Sequence, residues 1–255
     1  MVKAVCTFLF LMLFTITLPL SAEKMSINKE KCKEILAELN GKATLVAVSK
    51  TKPAEEIQAF YNEGQRDFGE NYVQELLDKE SVLPKDIRWH FIGHLQSNKV
   101  KYIAPFVYLI HGVDSEGLLR EIDKQAKKNT RVINCLLQIH IATEETKFGF
   151  DEEEIANVQI CNYANVQIKG LMGMASFSDD MNLVRSEFKK LKQLFDQLHL
   201  ASGETNLKPQ TLNLQPSTFN LLSMGMSSDY KIAIEEGSNM IRIGSLLFGE
   251  RNYNK

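Results

Sequence analysis

Eight short apolar runs recur along the chain, and the stretches between them carry helical spacing or helix start and stop signals. This alternation constrains the fold more than any other feature. Strands that are apolar along their whole length are covered on both faces, and helices crossing between parallel strands provide that cover. The runs are Thr44–Val48, Arg66–Phe68, Arg88–Ile92, Val107–Ile110, Val132–Ile141, Gln167–Leu171, Phe219–Leu222 and Met240–Ile243. The predicted helices are Ile27–Leu39, closed by Asn40-Gly41, then Glu55–Glu63, a stretch from Val73 through Leu77, Leu118–Lys127, Glu152–Tyr163, Leu183–Leu198 and Asp229–Glu236. Eight units in roughly 230 residues match the size of a (β/α)8 barrel, although a doubly wound sheet carries similar local signals. The polar stretch Ala201–Ser217, with Pro209 and Pro216, is longer than most connections in a compact fold and reads as a surface excursion.

The chain has 255 residues, 44% of them hydrophobic, which is ample for one large core. A formal net charge of -2 without a basic stripe excludes a nucleic-acid footprint. The cysteines Cys6, Cys32, Cys135 and Cys161 match no metal-ligand spacing, so they read as free thiols of a reducing compartment. The N-terminus points elsewhere. Val5–Leu18 is almost wholly apolar behind Lys3, and Pro19-Leu20-Ser21-Ala22 follows, in the charge order of a signal peptide. Leu20 sits where a cleavage site prefers a small residue, and the run is too short for a confident membrane span. The alternative start is Met25, ahead of a polar helix-like stretch. We expect residues 1–24 to lie outside the fold and 25–255 to form one domain. The working expectation is a cytoplasmic protein without stable membrane association, with export as the alternative. Charged helices without an uninterrupted apolar face predict a monomer.

Chemistry in such folds gathers where strands end. Leu45–Pro53 is a buried run that stops at Ser49-Lys50-Thr51-Lys52-Pro53, and Glu55 and Glu56 suit the start of a following helix. A lysine at the end of a core strand is costly unless used. Lys50 either anchors an anion, forms a Schiff base with a carbonyl compound, or is simply solvated. Asn71 in Gly69-Glu70-Asn71 donates to an anion or caps a helix, and His94 reads as a loop residue. Ser223-Met224-Gly225-Met226-Ser227-Ser228-Asp229 and Ile241-Arg242-Ile243-Gly244-Ser245 leave the last two strands, where these barrels commonly hold phosphate. Taken singly, Ser227 and Ser228 read as helix caps. Together with a strand-end lysine, the two loops favour a phosphate. Alternation sends Arg242 into the barrel mouth, opposite Ile241 and Ile243, where it needs a carboxylate or a ligand as partner. Met172, Met174, Met224 and Met226 read as rim packing, Lys52 as solvent-facing or a second phosphate contact, and His90 as a satisfied core histidine.

At these motifs the chain resembles the pyridoxal 5′-phosphate (PLP) homeostasis proteins, also called the YggS/PROSC family. The matching stretches are Ala47–Pro53, Phe68–Glu75, His90–Lys99, Lys169–Met174, Leu222–Ser227 and Ile241–Gly249, in the family's order. The resemblance implies a single (β/α)8 TIM barrel of the alanine racemase N-terminal domain type. It implies PLP held as an aldimine on Lys50, with Ser227, Gly244 and Ser245 at the phosphate, Arg242 near the pyridine nitrogen, and Asn71 and Met226 beside the cofactor. It assigns no catalytic residue and no metal. An arginine at the ring nitrogen leaves it largely unprotonated, which weakens the electron sink of PLP chemistry. The chain also ends soon after the eighth strand, so the racemase's C-terminal domain, which supplies an opposing base, is expected to be missing. Both points imply PLP carriage and vitamin B6 homeostasis rather than turnover, with PLP-dependent apoenzymes as conceivable recipients. The alternative is a weak racemase or lyase, for which His94 or Tyr72 would have to act opposite Lys50.

Overall fold

The computed structural model describes residues 27–144, 148–151, 154–155, 163–201 and 218–250. The signal-like segment, Cys6, Cys161, most of the helix expected over Glu152–Tyr163 and the stretch Ala201–Ser217 lie outside the described residues or at their edge. Eight parallel strands close into a barrel in sequence order: β1 (Thr44–Val48), β2 (Asp67–Glu70), β3 (Arg88–Phe91), β4 (Leu109–Val113), β5 (Ile133–Ile139), β6 (Val166–Gly173), β7 (Leu221–Ser223) and β8 (Met240–Ile243). β8 returns to β1 with Leu45 opposite Ile241 and Ala47 opposite Ile243, so the doubly wound alternative falls.

Around the sheet lie α1 (Lys29–Leu39), α2 (Ala54–Asn62), α3 (Val73–Val82), the short α4 (Val100–Ile103), α5 (Glu116–Lys128), α6 (Met181–Ala201), α7 (Tyr230–Glu235) and the single turn α8 (Ser245–Phe248). α5 shows why such segments are helical. Ser115 caps it by accepting from the Leu118 N–H at 3.3 Å, Glu116 opens it, and Lys127 and Lys128 close it against the dipole. Its buried residues Leu118, Leu119, Ile122 and Ala126 recur on one face.

Alternation along each strand divides the core in two. Val46, Leu109, Leu136, Met172 and Met240 fill the barrel interior. Their neighbours Leu45, Ala47, Ile110, Leu137, Ile241 and Ile243 pack outward under the helices. Two expectations about strand position are corrected. β4 begins at Leu109 rather than Val107 and runs to Val113, so His111 lies inside the strand instead of at its end. β7 is shifted toward the site, so Ser223 belongs to the barrel wall. Met172 and Met224 are fully buried, the first in the interior and the second in the outer core, and are not rim residues.

Candidate functional site

Lys50 sits just past the end of β1, not on it. Lys52 N–H donates to Ser49 O at 3.0 Å and closes a turn, with Thr51 at φ 65°. A β-branched residue in the left-handed region is strained by about 1 kcal/mol or more, and such strain persists only where the surroundings over-determine it. Here they do. Thr51 N–H donates to Glu75 Oε1 at 2.5 Å, and Lys79 Nζ donates to Ser49 O at 2.8 Å, to Glu70 Oε1 at 2.7 Å and to Glu75 Oε1 at 2.6 Å. Ser49 Oγ also donates to Glu70 Oε1, at 2.6 Å. One buried ammonium on α3 thus ties both flanks of Lys50 to the end of β2. Burial pushes the Glu70 carboxyl up to about 7, against the pull of Lys79 and Ser49. Sequence reasoning missed Lys79. The signal was its spacing, four residues after Glu75 on a helix that begins beside Glu70-Asn71.

The structure brings Lys50, Asn71, Met226, Ser227, Arg242, Gly244 and Ser245 to one cleft of about 520 Å3 at the C-terminal ends of the strands. Val48, Ile92, Phe177 and Phe248 add apolar walls that the sequence reading left out, and Met174 packs at the rim as expected. Lys52 is also at this rim, where its Nζ donates to Phe248 O at 2.5 Å and straps α8 to the Lys50 turn rather than facing solvent. The two loops after β7 and β8 touch, with Gly244 N–H donating to Ser227 Oγ at 3.3 Å. Neither Ser227 nor Ser228 caps α7. That position is Asp229, whose carboxylate instead accepts from the Met226 N–H at 2.6 Å.

Arg242 is buried on the inner face of β8, as alternation required. Its Nη1 donates to Ser223 Oγ at 2.6 Å and its Nη2 to Gly173 O at 3.0 Å. Among the described residues no carboxylate forms a salt bridge with it, so of the two expected partners the carboxylate is not the one found, and its donors go to neutral acceptors. Burial lowers its pKa to about 10, offset by the charge of Asp229, and it remains a cation at neutral pH. Asn71 does not cap α3, whose N-cap is Tyr72. Its Oδ1 is buried with no hydrogen-bond partner, a state that costs about 1–3 kcal/mol unless a ligand satisfies it.

His94 and Tyr72 are turned away from this cleft. They line an adjoining one of about 620 Å3, with Gln96, Lys99 and Tyr102, that shares Asn71. His94 Nδ1 lies 2.8 Å from Asp114 Oδ2, and its ring stacks on Phe148 at 4.2 Å. His90 is a satisfied core histidine, as expected. No group of residues suited to a metal ion occurs among the described residues. No helix among them is long and apolar enough to cross a membrane.

A parallel eight-stranded barrel with a lysine turn after its first strand and a buried arginine on its last is an arrangement of the alanine racemase N-terminal domain class, whose family model matches residues 24–252. Within that class, the chain belongs to the family of pyridoxal phosphate homeostasis proteins. The relative from Aquifex aeolicus is 42% identical over 214 residues, covering 83% of this chain and 88% of its own. The human protein of that name is 40% identical over 224 residues, covering 83% and 78%. Among solved structures, PipY of Synechococcus elongatus, determined without PLP, superposes with a TM-score of 0.78 at 34% identity, covering 86% of this chain and 99% of that one. PipY with PLP bound gives 0.75. Alanine racemase from Bartonella henselae, at 15% identity and a TM-score of 0.60, shares the fold.

Proposed function

We propose that this chain binds PLP in the strand-end cleft and serves as a carrier in intracellular PLP homeostasis. The observation that carries this reading is the convergence of an amine, a buried guanidinium and two Gly/Ser loops on one cleft. Each suits a different part of PLP. Ser227, Gly244 and Ser245 suit the phosphate, Arg242 the pyridine nitrogen, and Lys50 the aldehyde. Asn71 supplies a buried oxygen that lacks a partner, although a phenolate would need its N–H2 side instead. Met226 lines the same cleft and would pack beside the ring. The Lys50 amine would add to the aldehyde carbon and expel water, leaving a Schiff base. When bound, PLP supplies an electrophilic carbon and a conjugated ring. The chain's residues hold it, exclude water with the walls Val48, Ile92 and Met174, and place a donor-only arginine where a strong electron sink would need an acid.

The names of the relatives and the PLP bound to PipY support PLP binding. The racemase alternative is less well supported, because His94 and Tyr72 line the adjoining cleft rather than the one holding Lys50. We read the chain as a monomer that hands PLP to apoenzymes, and as cytoplasmic, because Cys32 and Cys135 are both free thiols. The experiment is the visible spectrum of protein started at Met25, before and after borohydride, with Lys50→Ala in parallel. We expect a reducible band in the wild type that the variant loses. A protein that stays colourless with added PLP would overturn the reading.

A further inference from the structure

The barrel interior contains a chain of polar side chains that the PLP reading does not use. It starts at Arg242 in the cleft. Arg242 Nη1 donates to Ser223 Oγ at 2.6 Å on β7. Ser223 Oγ lies 3.2 Å from His111 Nδ1 on β4, and His111 Nε2 lies 2.9 Å from His90 Nδ1 on β3. His90 Nε2 lies 3.0 Å from Asp67 Oδ1 on β2, whose carboxylate Arg88 grips from Nε at 2.7 Å and from Nη2 at 2.5 Å. Ser223, His111 and His90 have no exposed surface, and Arg242 is 4% exposed. Asp67 and Arg88 line a separate cleft at the opposite end of the barrel, beside α1 and α2. The chain therefore spans the barrel from one mouth to the other.

Donor and acceptor chemistry gives it one direction. A guanidinium has no acceptor, so Ser223 Oγ must accept from Arg242 and turn its own proton to His111 Nδ1. His111 then carries its proton on Nε2 and donates to His90 Nδ1. His90 likewise carries its proton on Nε2 and donates to the Asp67 carboxylate. Each link is a donor facing an acceptor, with the cation at one end and the anion at the other. The groups facing the two imidazoles are Asp67, Arg88, Tyr108, Ser223 and Arg242. Burial depresses both histidines below their usual range, and Arg242 adds repulsion at His111.

We infer that Ser223, His111, His90 and Asp67 are positioning residues for Arg242, forming a one-way hydrogen-bond chain that fixes it as a cationic, donor-only group facing the strand-end cleft, where the ring nitrogen of the proposed ligand would meet it. The consequence for PLP rests on the reading above, whereas the chain itself does not. A proton arriving at His90 Nδ1 would face the His111 Nε2–H donor, and one arriving at His111 Nδ1 would turn the Ser223 hydroxyl proton away from its acceptor, so the interior resists delivering acid to the ring nitrogen.

The test begins on ligand-free full-length protein with 15N-labelled histidine. Among the five histidines, His90 and His111, assigned with His90→Gln and His111→Gln, are expected as Nε2–H tautomers that stay neutral through the ordinary histidine range, because burial disfavours the imidazolium. An Nδ1–H tautomer at either position, or titration near the ordinary histidine value, overturns the chain whether or not PLP binds. The second arm loads PLP into Ser223→Ala, Ser223→Thr and the interior control Leu109→Ala. We expect Ser223→Ala to displace the His111 15N signals, shift the visible band and weaken PLP binding about tenfold. Ser223→Thr should restore all three, and Leu109→Ala should leave the band position unchanged. A Ser223→Ala protein with wild-type spectrum and affinity within twofold overturns the link to the cleft. A wild type that shows the tautomers but binds no PLP refutes the PLP reading and the proposed consequence for it, and leaves the chain standing.

Discussion

Glu70 ends its strand with a carboxylate that is fully buried, and Lys79 is its only ionic partner among the described residues. Its pKa rises from 4.5 to about 7 on folding. A carboxyl raised in the folded state favours folding fully below its unfolded value, and that contribution is lost as pH rises through the folded value. Comparing the melting temperatures of the wild type and Glu70→Gln across pH should therefore show the wild type losing ground between about pH 4.5 and above 7. A difference that is flat with pH would contradict the assignment. Lys79→Met strands the same carboxylate and frees both flanks of Lys50. It should cost about 3–5 kcal/mol in urea unfolding well above pH 7, where the carboxylate is ionised and uncompensated, and less at lower pH, where it takes up a proton instead. Arg→Lys at 242 is not conservative here, since one ammonium cannot reproduce the fork that reaches both Ser223 and Gly173.

Two glycines on different elements should respond in opposite directions. In β6 the register to β5 slips between Ile168 and Gly170, a bulge that takes Gly170 to φ 151°. A Cβ there would stand 1.7 Å from Leu221 O on β7. Gly170→Ala should lose roughly 3 kcal/mol or more, because it opens the wall that positions Ser223. Gly117 lies in the first turn of α5 and a Cβ would meet nothing within 4 Å. Gly117→Ala should gain about 0.5–1 kcal/mol. The single tryptophan, Trp89 on β3, is buried and reports both unfolding curves by fluorescence. A Gly170→Ala midpoint equal to or above that of the wild type would mean that the bulge is not under the constraint described, whatever Gly117→Ala does.

At the scale of the molecule, the barrel closes at the β8–β1 seam, and the cleft takes residues from both sides of it: Lys50 after β1, Arg242 on β8, and Gly244 and Ser245 beyond. The neighbouring β7–β8 joint has one register pair, Ser223 with Met240. A ligand held across these strands binds only the closed barrel, so PLP at 100 times its Kd should stabilise the fold by about 2.7 kcal/mol. The gain should appear as slower amide exchange in β7 and β8, and Lys50→Ala should reduce it. Equal protection in wild type and variant would argue that the lysine does not hold the ligand.

Much of this was legible in the linear chain. The eight-fold alternation, the strand-end lysine and the inward arginine follow from local rules, since the period of two along a strand and the turn chemistry of Gly, Pro and Ser act over a few residues. Strand order and closure decided between the barrel and the open sheet, because both share the local signals and differ in which strands pair, the β8–β1 pair included. Tertiary structure also decided what fills the interior. His90, His111, Ser223 and Asp67 lie on four separate strands, up to 156 residues apart, and no spacing rule connects them. The same holds for Lys79, whose role depends on α3 packing against the Lys50 turn. The sequence by itself determined which strands would form and which way their side chains alternate. Only the tertiary structure could decide which inward residues meet, because that depends on the tilt and stagger of strands around a closed ring.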